Sequence, residues 1–151
     1  MALFIDKLAI ASPTIAPLRR IPDEHAADGK NIAPTLTISG APEGTVELAV
    51  ICHDPDAPLA HGFTHWVVYG LPKGSSVVDL TVDGVRTAPN GTGGSEWFGP
   101  QPPEGHGQHH YYFWVYALSR SVSGEPDRET FLSRYADAII EQARLVGTYS
   151  R

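Results

Sequence analysis

The sequence has little cysteine and no long hydrophobic segment, and both absences narrow the possible functions. Cys52 is the only cysteine in 151 residues, so no intrachain disulfide can form and the chain shows no dependence on an oxidising compartment. No stretch reaches the roughly 18 apolar residues that a membrane span requires. The N-terminal residues MALFIDKLAIA carry Asp6 and Lys7 inside their apolar stretch, whereas a signal peptide has an unbroken apolar run after a basic start. We therefore expect a cytoplasmic protein without a transmembrane segment.

Positive charge is also scarce. Lys and Arg number 11 against 17 Asp and Glu, which gives a formal net charge of −6, and no run of basic residues offsets this balance locally. Binding of a phosphate backbone requires a basic surface. Nucleic acid is therefore not an expected partner.

Four histidines that are not assigned to the pocket described below do not follow a metal-binding pattern. His53, His61, His106 and His110 show neither an HExxH motif nor a clustered His/Cys spacing. Surface histidines are common in glycine-rich loops, and we interpret these residues in that way. The sequence therefore predicts no metal centre and no other cofactor.

Proline and glycine are abundant, with 13 and 15 residues respectively, and they separate short apolar runs. Strand-like runs cover residues 35–39, 46–53, 64–70 and 111–118, and turn-forming residues lie between them. In the second and fourth runs apolar residues occupy both alternating sets of positions, which indicates strands covered on both faces. The whole chain, residues 1–151, is predicted to be one mainly β domain with an antiparallel core.

One helix is predicted near the C-terminal end, over residues 128–146. Apolar residues recur every four positions from Phe131 to Ala143, a spacing typical of a helix that packs one face on a core. Asp127 is a suitable N-cap, and Gly147 is suited to end the helix in a left-handed conformation.

The stretch HDPDAPLAHGFTHW joins two apolar strands and carries several titratable groups. Pro55 and Pro58 fix the backbone φ angle and remove two N–H donors, so the bend is stiff. Asp54 and Asp56 lie on this bend, and His65 begins the next apolar run. We expect His65 to return to the end of the sheet at which Asp54 leaves it.

The stretch GPQPPEGHGQHHYYFWVYAL repeats this arrangement of a rigid loop, histidines and an apolar strand. Residues 99–103 contain three prolines and one glycine, which makes a poor strand but a preorganised wall. Side chains alternate along the following strand, so His109, Tyr111 and Phe113 share one face. His109 and Tyr111 are therefore expected to point together into a pocket.

Two functions are consistent with this set of groups. Imidazoles and backbone amides suit a bound anion such as phosphate or carboxylate, and a nearby Asp orients a histidine and favours its charged form. Alternatively, the same groups are suited to proton transfer in dehydration, isomerisation or hydrolysis. In that case the candidate catalytic residues are Asp54, His65 and His109.

The motifs DPDAP, GFTHWVVYGLP and GPQPPEGHGQHHYYFWVYAL resemble segments of the phosphatidylethanolamine-binding protein family. The resemblance is strongest to its bacterial and archaeal branch, the Raf kinase inhibitor-like proteins, and DGKNIAPTL and LVGTY also resemble family segments. It implies an antiparallel β-sandwich with peripheral helices and a small cavity for phosphate-like groups. It also implies a possible homodimer, whereas the natural ligand and any protein partner or regulatory target stay open.

Carried over by motif, the resemblance implies two sets of site residues. The implied ligand-binding residues are Asp54, Pro58, His65, Gly99, His109 and Tyr111. The implied supporting residues are Pro55, Asp56, Trp66, Trp97, Pro100 and Pro103. The implied ligand is a small anion bearing a phosphate, phosphoester or carboxylate group.

Three residues depart from the family pattern. Many relatives have glycine, tyrosine and arginine where this chain has Glu96, Trp97 and His110. If the Glu96 side chain faces the mouth of the cavity, its negative charge is expected to weaken phosphate affinity or to change the ligand.

Overall fold

A computed structural model describes residues 7–151 of the chain. Residues 1–6 lie outside the described residues. They include part of the N-terminal segment that was predicted not to be a signal peptide, and they are the start of the predicted 1–151 domain. The strands are β1 (Ala9–Ala11), β2 (Thr37–Ser39), β3 (Glu47–Asp54), β4 (Phe63–Pro72), β5 (Arg86–Thr87), β6 (His109–Leu118) and β7 (Ile139–Tyr149). The helical segments are α1 (Arg128–Tyr135) and two 3₁₀ turns, Asp23–His25 and Ala136–Ala138.

The strands form two antiparallel sheets. Five of them pair in the order β5-β4-β3-β6-β7, and β1 pairs with β2 in a separate two-stranded sheet. The four strands predicted from the sequence are present as β2, β3, β4 and β6, with ends shifted by at most two residues. β3 lies at the centre of the larger sheet and all of its residues are buried, which explains its apolar residues at both sets of alternating positions.

One face of the five-stranded sheet packs against the two-stranded sheet and the loops beside it. Leu48, Val50 and Cys52 of β3 belong to the same cluster of buried side chains as Ile10 of β1 and Ile38 of β2. Burial raises the pKa of the Cys52 thiol well above its usual value. Cys52 is thus a packed core residue.

The opposite face packs against α1. Ile51 of β3 and Tyr69 of β4 share a buried cluster with Phe131 and Tyr135 of the helix. The Tyr69 ring lies 5.4 Å from the Phe131 ring, centroid to centroid. The molecule is therefore mainly β, with antiparallel sheets in layers and a peripheral helix, as predicted.

The predicted helix over residues 128–146 is correct only in its first part. α1 begins where expected, and the Asp127 carboxylate accepts a hydrogen bond from the Thr130 N–H at 2.9 Å, so Asp127 is the N-cap. α1 ends at Tyr135, however, and β7 begins at Ile139 after a 3₁₀ turn. The prediction of helix beyond Tyr135 is therefore wrong.

The physical reason is that the spacing of the apolar residues fits both a helix and a strand, and pairing with β6 favours the strand. In β7 the side chains of Ala143 and Leu145 are buried while those of Gln142 and Arg144 are exposed, a period of two. Apolar residues four positions apart fit this period as well as a helical turn. β7 pairs with the whole length of β6, and these interstrand hydrogen bonds decide between the two conformations.

Gly147 does not end a helix, contrary to the prediction. It lies inside β7, opposite Tyr111 of β6. A Cβ atom at this position would lie 2.6 Å from Cγ1 of Ile21 and 3.0 Å from Cγ2 of Ile15. Glycine is needed here because an N-terminal segment packs directly over the strand; within this segment Leu18 donates a backbone hydrogen bond to Val146.

Candidate functional site

A cavity of about 370 Å³ opens at one end of the five-stranded sheet. β3 runs antiparallel to β4 and β6, so its C-terminal end meets their N-terminal ends. Two rigid loops complete the walls. Of the six residues predicted to bind a ligand, five line this cavity: Asp54, Pro58, His65, His109 and Tyr111.

A buried carboxylate–imidazole pair forms one wall of the cavity. The Asp54 Oδ2 atom lies 2.6 Å from His109 Nδ1, and the two side chains are 3% and 2% exposed. Because an ionised carboxylate only accepts hydrogen bonds, Nδ1 of His109 carries the hydrogen. The other Asp54 oxygen accepts a hydrogen bond from the Asp56 N–H at 2.7 Å. Asp54 therefore sets the tautomer and the orientation of His109, as the sequence predicted for a histidine in this pocket.

A second histidine extends this pair to the surface. Nδ1 of His106 lies 2.6 Å from Nε2 of His109, and His106 is exposed. Sequence reasoning treated His106 as an unrelated surface histidine. Asp54, His109 and His106 instead form a continuous hydrogen-bonded chain from the cavity wall to solvent.

His65 lies among aromatic rings at the start of β4. Its Nδ1 lies 2.5 Å from the carbonyl oxygen of Phe98, and its ring contacts those of Phe63 and Tyr111 at centroid distances of 4.9 and 5.1 Å. Burial lowers the pKa of His65 from 6.5 to about 4, although the Phe98 carbonyl acts in the opposite direction. His65 is therefore a neutral imidazole at neutral pH.

Tyr111 presents its hydroxyl group to the cavity from β6. The residue is 1% exposed, and its hydroxyl is not among the buried polar atoms of residues 7–151 that lack a hydrogen-bond partner, so it is open to the cavity. Burial raises the pKa of this hydroxyl well above its usual value, and the Asp54 carboxylate adds to the effect. The hydroxyl thus keeps its proton and is available as a donor.

Gly99 is the one predicted ligand residue that does not line the cavity. Its N–H donates to the Asn31 side chain at 2.8 Å, so this amide is already engaged. A Cβ atom at Gly99 would lie 1.9 Å from the carbonyl oxygen of His25. The close approach of two backbone segments, rather than an open amide, accounts for glycine at this position.

The predicted supporting residues other than the two tryptophans differ in what they contact. Pro103 lines the cavity. Asp56 pins the first loop to β6, because its Oδ2 accepts hydrogen bonds from the His110 N–H at 2.8 Å and from the His110 ring at 2.7 Å. Pro55 is exposed, whereas Pro100 is buried and its carbonyl accepts the Ala27 N–H. The first loop is thus tied to β6 by side-chain bonds, and a backbone bond helps to hold the second loop at Pro100.

The two predicted tryptophans are core residues beside the cavity and do not line it. Trp66 and Trp97 are 3% and 7% exposed, and their rings pack edge to face at 5.6 Å. Nε1 of Trp97 donates to the His25 carbonyl at 3.0 Å. Trp97 therefore supports the second loop from the interior.

Glu96, which departs from the family pattern, is exposed and does not line this cavity. It lines a neighbouring polar cavity of about 370 Å³, which shares Thr92 and Phe98 with the first. The negative charge of Glu96 therefore lies at the adjacent cavity and not at the mouth of the first one. The other departure, His110, is paired with Asp56 as described above.

Several lining residues were missed by sequence reasoning. They are Ala57, Leu59, Phe63, Thr92, Phe98, Gln101 and Pro102. Phe63 could have been found, because it lies two residues before His65 and on the same face of β4. Thr92 and Gln101 come from loops whose paths the sequence pattern does not specify.

Two further properties concern the described part of the chain. No group of three or more His, Cys, Asp or Glu side chains within residues 7–151 is arranged to hold a metal ion. Among the same residues no helix has both the length and the apolar character needed to cross a bilayer.

Comparison with known proteins identifies relatives along most of the chain. A UPF0098 protein of Aquifex aeolicus is 38% identical over 142 residues, covering 87% of this chain and 81% of the relative. A Mycobacterium tuberculosis protein that carries the name lipoprotein LppC is 40% identical over 148 residues, covering 95% and 73%. The crystal structure of E. coli YbcL, described as a new member of the mammalian PEBP family, matches with a TM-score of 0.88 at 28% identity, covering 95% of this chain and 98% of YbcL. The family model of the phosphatidylethanolamine-binding proteins matches residues 11–150, and the chain therefore belongs to the phosphatidylethanolamine-binding protein family.

Proposed function

We propose that the cavity binds a small anion bearing a phosphate, phosphoester or carboxylate group and that the protein is a ligand-binding module. The observation that carries this proposal is the Tyr111 hydroxyl, a hydrogen-bond donor in the wall of the cavity. An oxygen atom of a bound anion is well suited to accept its hydrogen bond.

His109 stands beside Tyr111 in the wall, and both of its ring nitrogens are engaged within the protein, Nδ1 with Asp54 and Nε2 with His106. The hydrogen bond to Asp54, 2.6 Å from Nδ1, fixes the orientation of the His109 ring. An anion that enters the cavity therefore meets a carboxylate that is already hydrogen-bonded to an imidazole.

The remaining wall is rigid and largely apolar. Pro58 and Pro103 stand on opposite loops, and Phe63 and Phe98 lie beside His65. Groups that are already in place before binding lose little conformational entropy on binding. The cavity is thus suited to a small group whose polar atoms face Tyr111 and His65.

The test is a calorimetric titration of the protein with inorganic phosphate, comparing Tyr111→Phe with Tyr112→Phe. Tyr111→Phe removes this hydroxyl, so we expect phosphate affinity to fall about tenfold. Tyr112 is the matched control, because its ring lies on the opposite face of β6, 5.5 Å from the Arg144 guanidinium. Equal affinities for the wild type and both variants would contradict the proposal.

An acid–base enzyme is the second candidate function, and the hydrogen-bonded chain Asp54–His109–His106 favours it. Such a chain can carry a proton between a reacting group and solvent. A screen of phosphorylated and carboxylated metabolites should then reveal turnover that His109→Ala abolishes while the circular dichroism spectrum is unchanged. If the screen showed no turnover, ligand binding would be the one candidate function that remains.

Location and assembly are further proposals. We infer a cytoplasmic location from the sequence, and cell fractionation tests it directly, because one relative carries the name lipoprotein. We infer a homodimer and a regulatory role from the family resemblance. Sedimentation analysis of the purified protein should then give twice the mass of the 16.3 kDa chain.

A further inference from the structure

The cavity offers more hydrogen-bond acceptors than donors. A carbonyl oxygen only accepts hydrogen bonds, so Nδ1 of His65, 2.5 Å from the Phe98 carbonyl, carries the hydrogen. In the neutral ring Nε2 then bears a lone pair and accepts. Burial, which lowers the pKa of His65 to about 4, keeps the ring in this form at pH 6 to 7. The Asp54 carboxylate contributes further acceptors.

Two other side-chain donors in the wall have partners within the protein. The Thr92 hydroxyl donates to the Asn90 side chain at 2.5 Å, and the Gln101 amide donates to the Asp28 carboxylate at 2.6 Å. Proline has no N–H group, and three prolines line the cavity: Pro58, Pro102 and Pro103.

Positive charge is also missing from the wall. Within the described residues 7–151, neither lysine nor arginine lines this cavity. A fully ionised oxyanion brings only acceptors and negative charge. It would leave Nε2 of His65 without a donor and would face the Asp54 carboxylate, and both effects are unfavourable in a buried site.

We propose that the cavity selects an oxyanion that still carries an acidic proton, namely a phosphate monoester or inorganic phosphate. The inference rests on the anion site proposed above. The P–O–H group donates to Nε2 of His65, and another oxygen of the same phosphate accepts from the Tyr111 hydroxyl. A phosphodiester, such as that of a membrane phospholipid, and a sulfate ester lack this proton, so the cavity discriminates against both.

The experiment compares methyl phosphate, dimethyl phosphate and methyl sulfate as titrants of the full chain in calorimetry at pH 6. A phosphate monoester keeps its second proton about half of the time at this pH. We expect methyl phosphate to bind roughly tenfold or more tightly than either of the others, the usual effect of an unsatisfied buried acceptor. The titration with dimethyl phosphate distinguishes binding of a lipid-type phosphodiester from binding of a free phosphate monoester.

The possible outcomes distinguish this inference from the proposed function. Equal binding of all three anions would overturn the proton requirement and leave the anion site in place. Binding of none of them would overturn both. Methylammonium serves as a fourth titrant, because an acceptor-rich cavity also suits a cation; tighter binding of methylammonium than of methyl phosphate would overturn both as well.

A variant assigns the selection to His65. His65→Gln places an amide at this position, and because an amide can either donate or accept, the preference for methyl phosphate should fall severalfold. His61→Gln is the matched control, since His61 is exposed and outside the cavity lining. An unchanged preference in a folded His65→Gln protein would overturn the role of His65, and the wild-type series decides alone if that variant does not fold.

Discussion

A methyl group added at Gly99 would lie 1.9 Å from the carbonyl oxygen of His25 and 2.9 Å from the carbonyl carbon of Ala26. Both contacts are with backbone, which cannot rotate away as a side chain can. We expect Gly99→Ala to lower the free energy of unfolding by about 2–3 kcal/mol, as overpacking in a dense region does. Urea denaturation at pH 7.5 measures this loss.

The control for this prediction is Gly74→Ala. A methyl group added at Gly74 would meet no heavy atom within 4 Å, so this substitution should change stability by less than about 0.5 kcal/mol. Losses of equal size in the two variants would show that the effect comes from glycine replacement in general and not from the contact with His25.

The sequence predicted that Asp54 orients a histidine of the pocket, but it did not identify His109 as that histidine or the extension of the pair to His106. Strand alternation places His109 and Tyr111 on one face, and the antiparallel arrangement brings Asp54 to them. The position of His106 depends on a turn in which its N–H donates to the Pro103 carbonyl at 3.1 Å. Such a loop path is not encoded in periodicity, so the second histidine was missed.

At the scale of elements, α1 depends on its N-cap because it is only 8 residues long. Short helices gain little from their own hydrogen bonds. Asp127→Ala removes the acceptor of the Thr130 N–H, and we expect a loss of about 1 kcal/mol in the free energy of unfolding. Asp83→Ala, at an exposed loop residue, should cost less than about 0.5 kcal/mol.

Thermal and urea denaturation of both variants check this expectation. If Asp127→Ala were as stable as Asp83→Ala, packing of Phe131 and Tyr135 against the sheet would be sufficient to hold the helix. That outcome would contradict a stabilising role of the cap.

The sequence predicted the beginning of α1 better than its end. A capping residue is a local signal that one position supplies, and Asp127 supplies it. The change from helix to β7 depends on pairing with β6, a contact between segments roughly 30 positions apart. The alternation of Ala143 and Leu145 with exposed residues was present in the sequence, but a spacing of four residues conceals it.

At the scale of the whole molecule, two buried histidines link stability to pH. Burial lowers the pKa of His65 and of His53 from 6.5 to about 4. The unfolded chain, in which these residues titrate near 6.5, therefore binds protons that the folded chain does not bind. Stability is fully present above pH 6.5 and should fall as the pH drops towards 4, by roughly 3 kcal/mol for His65 alone.

Urea denaturation at pH 7.5, 5.5 and 4.5 tests this dependence. His53→Gln removes one of the two groups and should reduce the loss on acidification, whereas His61→Gln, at an exposed site, should not. A free energy of unfolding that is constant from pH 7.5 to 4.5 would contradict the prediction.

The layered architecture was predictable because apolar residues at both sets of alternating positions identified the central strands β3 and β6. The strands β1 and β5 were not predicted: they have 3 and 2 residues and, unlike β2, they do not lie within a longer strand-like run. The family resemblance supplied the arrangement of these strands into a sandwich.

The three prolines in the cavity wall have a practical consequence for spectroscopy. Pro58, Pro102 and Pro103 have no amide proton, so this part of the wall produces no signal in amide-detected NMR and no direct signal in hydrogen–deuterium exchange. A ligand that rests against it would leave most amide resonances unmoved. The carbon-bound protons of the imidazole and proline rings are therefore the nuclei on which occupancy of this cavity is best followed.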